Sequence, residues 1–491
     1  MRETVLSSNS LTKVYLVAVL FAITGGMLLV VQNQSLFFLV GSLILFSMLV
    51  YLLNNPIPGI ILFLSTKCIF DMFWFIKLPF AEFVDLNVQR LIGIVFPLVI
   101  LGIFVLKERN FFKTFNTTLG KLICIYIAFN FLMIFFSWTT SGAMVLFSKM
   151  ITSYILFFVF GVAVFVEKDL RKLIHYFLIC LWIPLTIAYL GNLGWLSLDS
   201  FIQNTQYQNA QRIFSSTGEL IGTRLVGLYS HPFNVVSYLI VAFPLTLLML
   251  FTEKNPLRRF FYQINFIFLS LAMWRCFYRT GWIILALQLF LWLKMRKRRK
   301  TMLAVILICV CVVLMNLSFF TSFYESFLVL FSPSSENVLS AFSGRFVIWS
   351  FHLTKFAASS RLEQFFGHGL GSDHAIYYEM SDVLEPDRGA AHSDFIRHLS
   401  DTGVIGLGIY VLILVLLGKE LLSSIKQEND RFWRAFGQTV LLIFTGFLLA
   451  SIIGDPSLNP SMSWYLWGFA GIVIGRKFLN NKWKQERGRA L

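Results

Sequence analysis

The sequence AHSDFIRHLSDTGVIG at residues 391–406 runs directly into the apolar stretch LGIYVLILVLL at residues 407–417. Polar and ionisable side chains therefore stand at the mouth of a predicted membrane helix. Helical spacing places His392 and Asp394 in the first turn of that helix, where the positive end of the helix dipole favours a nearby anion. If the protein performs chemistry, we expect the reacting groups here.

The composition of the whole chain indicates a membrane protein. Of its 491 residues, 57% are hydrophobic and 13% are charged, which is far from the composition of soluble domains. Apolar runs of roughly 18 to 20 residues recur along the chain, and each can cross the hydrocarbon core of a bilayer. The net charge of +16 does not indicate nucleic-acid binding, because the basic residues cluster in short loops between the apolar runs. Six cysteines in or beside these runs are interpreted as small buried hydrophobes: Cys68, Cys124, Cys180, Cys276, Cys309 and Cys311.

We predict an all-α polytopic fold with about fourteen transmembrane helices. The predicted spans are 14–31, 36–53, 57–76, 91–106, 122–138, 149–166, 173–191, 234–251, 260–275, 280–295, 302–320, 403–417, 437–453 and 463–478. With both termini in the cytoplasm, the inward-facing loops carry most of the Lys and Arg, as the positive-inside rule requires. Three regions result: helices 1–11 over residues 1–320, a large external loop with the catalytic segment over 321–402, and helices 12–14 with a basic tail over 403–491.

Three segments on the predicted external side contain basic residues. They are the loop at 192–234, the tight turn at 275–279 and the long loop at 321–402. Within the long loop, helical spacing of apolar residues predicts an amphipathic helix on the membrane surface or over a cavity: Phe346, Trp349, Leu353 and Phe356. The glycine-rich run at 367–371 is expected to end that helix in a turn.

Arg224 and Arg279 are the most informative of these basic residues. Positive charge on the external face opposes the positive-inside rule and therefore calls for a partner. A guanidinium near the membrane boundary offers a planar fork of N–H donors that fits phosphate oxygens, so a diphosphate-linked lipid is a suitable ligand. For each arginine alone, contact with lipid headgroups is an equally good explanation.

His392 is the candidate general base, because an imidazole can accept a proton from a sugar hydroxyl as that hydroxyl attacks. A helix-capping or interfacial role is the alternative. His368, in the glycine-rich turn, has a weaker claim. The histidine spacing does not indicate a zinc site, and we predict no metal and no cofactor. The carboxylates at residues 373–387 leave unspecific ligation of calcium or magnesium open.

Two pairs of opposite charge have the four-residue spacing of a helical ion pair. Lys67 and Asp71 lie inside a predicted span, where burial of an ionisable group is costly, and we expect them to pair within the bundle. Arg397 and Asp401 can pair along the helix that follows His392.

Four blocks of sequence resemble the O-antigen polymerase and ligase superfamily of bacterial envelopes, which comprises Wzy-type polymerases and WaaL-type ligases. They are RLVGLYSHPFN at 224–234, YRTG at 278–281, GR at 344–345 with Trp349 and GHGLG at 367–371, and His392-Ser393 followed by Gly403-x-x-Gly406. All four lie on the predicted external side. His231 and Tyr278 depart from the family pattern, which often has asparagine and usually has serine at these positions.

The resemblance implies a GT-C-like glycosyltransferase of the bacterial inner membrane that transfers a glycan from undecaprenyl diphosphate. By matched position, Arg224 and Arg279 bind the diphosphate and His392 activates or positions the acceptor hydroxyl. The further candidates for substrate binding are Arg345, His231, Asp394, Arg397 and His368.

A polymerase of lipid-linked repeat units is the first interpretation, because about fourteen spans with one long external loop resemble the polymerases more than the ligases. The expected partners are lipid-linked donor and acceptor glycans, membrane lipid and a candidate chain-length regulator, with no nucleic acid. A ligase that uses a core sugar of lipid A as acceptor is the alternative. A transporter or flippase for lipid-linked sugars is the alternative from another class.

Overall fold

The computed structural model describes residues 46–74, 88–107, 116–196, 212–214, 220–297, 345–378 and 391–490. These residues are almost entirely helical. The helices are α1 (Pro56–Phe70), α2 (Val88–Lys107), α3 (Thr118–Met133), α4 (Thr140–Val162), α5 (Glu167–Asn192), α6 (Pro232–Thr252), α7 (Pro256–Arg275), α8 (Arg279–Met295), α9 (Arg345–Ala358), α10 (Arg361–Phe366), α11 (Ser372–Tyr378), α12 (Asp394–Gln427), α13 (Arg431–Ile452) and α14 (Pro460–Ala490). Short 3₁₀ turns at Asp71–Phe73 and Ile134–Phe136 extend α1 and α3, and a third lies at Pro456–Leu458. Within the described ranges, the strands are β1 (Arg212–Phe214) and β2 (Leu220–Thr223), which form an antiparallel hairpin.

Eight helical segments of the described chain are long and apolar enough to cross a membrane. They are Pro56–Phe73, Gln89–Leu106, Thr118–Phe136, Thr140–Val162, Glu167–Asn192, Pro232–Thr252, Asp394–Gln427 and Arg431–Ile453. The predicted spans at 260–275, 280–295 and 463–478 correspond to the helices α7, α8 and α14. Those at 14–31 and 302–320, and most of 36–53, lie outside the described residues. The helical fold is confirmed, whereas the count of fourteen and the orientation stay predictions.

Helices α4 and α14 approach each other closely. Glycines of α14 let the two backbones meet: a Cβ at Gly471 would lie 2.3 Å from the carbonyl oxygen of Phe157, and one at Gly475 would lie 2.1 Å from that of Gly161. Small residues serve this purpose where membrane helices cross closely. Aromatic rings then fill the space beside the contact, as Tyr154 does against Trp467, with ring centroids 4.7 Å apart.

The predicted ion pair in α1 is present. Lys67 Nζ lies 2.7 Å from Asp71 Oδ1, and both side chains are buried. Asp71 also accepts hydrogen bonds from the hydroxyls of Tyr238 and Ser461. Because the carboxylate and the ammonium satisfy each other inside the bundle, the pair holds α1, α6 and α14 together without exposing a charge to lipid.

Contacts between loops define the two ends of the bundle. At the end that the sequence predicts to be external, which we call the outer end, hydrogen bonds join segments far apart in the chain: Trp74 to Leu228, Leu225 to Arg275, Leu370 to Met133, Asp394 to Gly454, and Asn459 to Asn234. At the opposite, inner end, basic residues pair with carboxylates, as Arg476 does with Glu428 and Lys477 with Glu420. The described parts of the three predicted external segments therefore meet at one end.

Residues 391–417 differ from the arrangement that the sequence predicts. Helix α12 begins at Asp394 and breaks at Gly403, whose φ of 63° and ψ of −166° are accessible essentially only to glycine. His392 precedes the helix and does not lie in its first turn. His398 packs against Tyr410 with ring centroids 4.1 Å apart, although a straight helix would separate them by about 18 Å. Residues 394–402, the short arm, therefore fold back against residues 404–427, the long arm.

The glycine-rich run at 367–371 stabilises this reversal. The break at Gly403 frees the carbonyls of Ser400 and Asp401, which accept hydrogen bonds from the backbone N–H groups of His368 and Gly369 at 3.0 and 3.1 Å. Unpaired buried carbonyls would be costly, so the run completes the hydrogen bonding of the helix that it crosses.

Helix α9 is present where an amphipathic helix was predicted. Ile348 and His352 are buried, and His352 Nδ1 lies 2.9 Å from the hydroxyl of Ser400. Leu353, assigned to the apolar face from its spacing, is 46% exposed. The glycine run does not end α9 either, because α10 lies between them. Polar contacts with the short arm set the orientation of α9, and apolar spacing does not report such contacts.

Candidate functional site

Arg224 is held at the outer end by the chain on either side of it. The amide of Asn192 donates hydrogen bonds to the carbonyl and the hydroxyl of Thr223, and the Arg275 guanidinium donates to the amide oxygen of Asn192. The backbone N–H of Leu225 donates to the Arg275 carbonyl at 2.9 Å. Arg275 is therefore a structural residue that fixes the position of Arg224.

The structure brings three arginines from three separate segments together. Arg224 is close enough to Arg279 and Arg345 to interact electrostatically with both. Burial lowers the pKa of the Arg224 guanidinium, and the two neighbouring guanidinium groups lower it further. Arg224 Nε is buried and has no hydrogen-bond partner within the described residues. A buried guanidinium nitrogen without an acceptor, among like charges, favours the binding of an anion.

Arg279 enters this cluster from the first position of α8. Phe277, two residues earlier, has a φ of +46°, which is unusual for a residue other than glycine. The ring of Tyr278 packs against Phe233 with centroids 5.8 Å apart, and this contact ties the start of α8 to the start of α6.

His392 lies between α9 and the short arm in a left-handed conformation, with a φ of +49°. The indole N–H of Trp349 donates to the carbonyl of Ala391 at 2.8 Å, and the backbone N–H of Asp394 donates to the carbonyl of Gly454 at 3.0 Å. These two bonds fix the backbone on both sides of His392. Residues held in sparsely populated backbone regions cluster at functional sites.

A second histidine, His231, lies close to both His392 and the arginines. It interacts electrostatically with His392, Arg224 and Arg345. Its Nδ1 accepts a hydrogen bond from the backbone N–H of Phe233 at 3.1 Å and so caps the N-terminus of α6. The structure thus brings His231, His392 and the three arginines, which we call the cationic cluster, to one place at the outer end.

Asp394 and Arg397 lie beside this cluster but inside the protein. Arg397 NH2 lies 2.9 Å from Asp394 Oδ1, and the two residues are 2% and 0% exposed. Asp394 also accepts hydrogen bonds from the hydroxyls of Tyr410, Ser451 and Ser457. With no exposed surface for a substrate, this pair serves to hold the short arm against α13 and the long arm.

The predicted pairing of Arg397 with Asp401 is wrong. Asp401 instead accepts hydrogen bonds from the Ser372 hydroxyl and the Asp373 backbone N–H at 3.0 and 3.1 Å, which fastens the start of α11 to the short arm. The four-residue spacing allowed a pair of Arg397 with Asp401, but Arg397 pairs with Asp394 three residues earlier on the same helix, and the partners of Asp401 come from α11.

Asp455 is a residue that sequence reasoning missed. Its Oδ1 lies 3.6 Å from Arg397 Nε, and it also interacts electrostatically with Arg345. Burial raises the pKa of the Asp455 carboxyl above its ordinary value. It therefore joins the buried Asp394–Arg397 pair to the cationic cluster. The signal in the sequence was a lone carboxylate in the loop at 455–462, which carries no Lys or Arg.

The structure does not bring His368 to the cluster. Its Nε2 lies 3.0 Å from the hydroxyl of Ser359, and its Nδ1 lies 3.6 Å from a carboxylate oxygen of Glu363. As for metals, the described residues contain no group of three or more His, Cys, Asp or Glu that could hold an ion. The acidic residues from 379 to 387 lie outside the described ranges.

Comparison with protein families gives one match. Residues 264–411 match the model of the O-antigen ligase family. This stretch is similar to the O-antigen ligase domain. It runs from α7 into the long arm of α12 and contains Arg279, Arg345 and His392, whereas Arg224 and His231 precede it. The match confirms the resemblance to the O-antigen polymerase and ligase superfamily and supports a multi-pass membrane enzyme of that general type. A search of curated proteins found no match.

Proposed function

We propose that this protein transfers a glycan from undecaprenyl diphosphate to a sugar hydroxyl at the outer face of the bacterial inner membrane, as a polymerase of lipid-linked repeat units. The observation that supports this most strongly is the cationic cluster, in which His231 interacts electrostatically with both Arg224 and His392 and the buried Arg224 Nε has no hydrogen-bond partner within the described residues. A diphosphate supplies acceptor oxygens for the buried Arg224 Nε, which has no hydrogen-bond partner within the described residues.

In this reaction the acceptor hydroxyl oxygen attacks the anomeric carbon of the donor glycan. A new glycosidic bond forms as the bond from that carbon to the diphosphate oxygen breaks, and the lipid diphosphate leaves with the bonding electrons. His392 takes the hydroxyl proton. Arg224, Arg279 and Arg345 stabilise the negative charge that develops on the leaving diphosphate.

The reversal at Gly403 supports a site for this chemistry below the outermost part of the bundle. The short arm contains nine residues and spans roughly 13 Å at 1.5 Å per residue, and it runs back along the long arm from the reversal to Asp394. His392 is therefore recessed toward the membrane. Attraction between opposite charges is stronger where little water is present. A lipid-linked diphosphate can reach this recessed site from the bilayer.

A ligase that transfers the glycan to a core sugar of lipid A is the second candidate. The matched family is described as O-antigen ligase, which favours this activity. The cationic cluster serves both reactions equally, since they share the donor and differ in the acceptor.

Purified protein in lipid nanodiscs, supplied with a lipid-linked repeat unit and no core acceptor, separates the candidates. A polymerase produces a ladder of glycan lengths with stoichiometric release of undecaprenyl diphosphate. A ligase produces transfer only after lipid A core is added. Movement of the lipid-linked sugar across the bilayer without a new glycosidic bond would identify a transporter and refute the proposal.

The role of His392 is tested in the same assay with His392→Ala. Loss of the proton acceptor should lower the turnover number about a hundredfold or more. His374→Ala, which alters a half-buried histidine of α11, is the matched control and should retain turnover. Wild-type turnover of the His392 variant would remove this residue from the reaction.

A further inference from the structure

Helix α10 lies beside the reversal of α12. A Cβ at Gly403 would lie 2.5 Å from the carbonyl carbon and oxygen of Phe365, and one at Gly367 would lie 2.4 Å from the carbonyl of Asp401. The backbones of α10 and α12 therefore touch where the short arm passes into the long arm. Val404, the first residue of the long arm, is 50% exposed.

A second membrane helix ends at the same level. The apolar segment Thr118–Phe136 contains 19 residues, or about 28 Å of helix, which matches a hydrocarbon core of about 30 Å. At its outer end, Leu370 N–H donates to the Met133 carbonyl, and a Cβ at Gly369 would lie 2.5 Å from the carbonyl of Phe136. Two helices that can span the membrane thus reach their outer limits beside α10 and the glycine run.

The surface of α10 is amphipathic. Leu362, Phe365 and Phe366 have the spacing of one helix face and are 72%, 54% and 44% exposed. The rest of the short helix is polar and consists of Arg361, Glu363 and Gln364, of which Arg361 and Glu363 are exposed as well. Beside the glycine run, Phe135 and Phe136 are 71% and 69% exposed, so the apolar surface of α10 lies next to that at the end of the α3 span.

We propose that α10 is an interfacial helix whose Leu362, Phe365 and Phe366 side chains insert into the outer leaflet of the bilayer. The occupant of this face is lipid, because the face lies at the level where two candidate spans end, near the exposed Phe135 and Phe136 of one span and the exposed Val404 of the other. Large apolar side chains on one side and charges on the other are the pattern of helices that lie in the interface plane. The insertion anchors the reversal of α12 at a fixed depth, whichever reaction the protein catalyses.

Site-directed spin labelling tests the depth of α10. In a variant whose six cysteines are replaced by serine or alanine, single cysteines are introduced by Leu362→Cys, Phe365→Cys and Phe366→Cys and are spin-labelled in nanodiscs. Power saturation should show higher accessibility to oxygen than to a water-soluble nickel chelate at all three positions. Arg361→Cys, on the polar side of the same helix, is the matched control and should show the reverse.

Two results would overturn the proposal. Greater accessibility to the nickel chelate at Phe365 or Phe366 would place this face in water. Exclusion of both reagents would mean that protein covers it. Since all three side chains are exposed, labelling should leave the packing intact, and an unchanged melting temperature of each labelled variant in the same nanodiscs verifies this.

Discussion

Arg279 and Arg224 differ in what surrounds them, although the sequence suggested the same role for both. Arg224 is half-buried and has an unpartnered Nε, whereas Arg279 is exposed at the first position of α8. A diphosphate bound between them would be held from below by Arg224 and from the open side by Arg279. Contact between Arg279 and the diphosphate would therefore depend on the N–H donors of the Arg279 guanidinium itself.

We expect Arg279→Lys to lower turnover at least tenfold, because an ammonium cannot reproduce a two-pronged contact with phosphate oxygens. Release of undecaprenyl diphosphate and the length of the product glycan measure the effect. Arg361→Lys, at an exposed arginine of α10, is the control and should change neither. Normal yield and normal chain length in the Arg279 variant would contradict the diphosphate role.

Trp349 connects the helix that carries Arg345 to the backbone before His392. Its indole N–H donates to the Ala391 carbonyl at 2.8 Å, so Trp349→Phe removes this bond and keeps most of the ring. The loss should cost about 1 kcal/mol of stability. We expect the turnover number to fall several-fold with little change in KM for the lipid-linked donor, because the variant displaces His392 and leaves Arg224 and Arg279 in place.

Trp138→Phe is the matched control, since Trp138 is 56% exposed at the outer end. Steady-state kinetics with purified donor distinguish the outcomes. An increase in KM with no change in turnover number would show that Trp349 acts on donor binding and does not position His392.

At the scale of single elements, the break in α12 decides where the candidate site lies. Helical periodicity across 394–427 is consistent with a straight helix, and only the backbone at Gly403 turns it back. Any other residue would have to adopt a φ of +63°, and its Cβ would lie 2.5 Å from the Phe365 carbonyl. The same substitution would push α10 away and separate the glycine run from the carbonyls of Ser400 and Asp401, which accept hydrogen bonds from it.

Gly403→Ala should therefore destabilise the protein by about 3 kcal/mol or more, as backbone strain and overlap add. Gly408→Ala is the control on the same helix. Nothing lies within 4 Å of the added Cβ, and alanine favours a helix over glycine by about 1 kcal/mol, so this variant should be at least as stable as the wild type. Thermal unfolding in detergent compares the two variants. Equal melting temperatures would show that the reversal tolerates a side chain.

At the scale of the whole molecule, the two ends of the bundle differ in how their basic residues are arranged. At the inner end, Arg476 and Lys477 pair with glutamates, whereas at the outer end Arg224, Arg279 and Arg345 lie close enough to interact electrostatically. The positive-inside rule predicts which end faces the cytoplasm, and the proposed reaction needs the cationic cluster on the opposite side.

Cysteine accessibility in whole cells measures this orientation. In the cysteine-free variant, Leu193→Cys at the outer end should react with a membrane-impermeant maleimide in intact cells. Lys254→Cys, exposed at the inner end, should react only after the membrane is permeabilised. The reverse pattern would place the cluster in the cytoplasm and exclude glycan transfer at the outer face.

The sequence by itself determined the helical membrane fold, the ion pair of Lys67 with Asp71, the helix at 345–358 and the blocks that resemble the matched family. These features are local, because they depend on apolar run length, on spacing within one helix or on short motifs. Only the tertiary structure decided that α12 reverses at Gly403, that Arg397 lies beside Asp455, and that three arginines converge on His231 and His392. Spacing along a helix specifies neighbours on that helix alone, whereas these contacts join segments that come together only when the bundle packs.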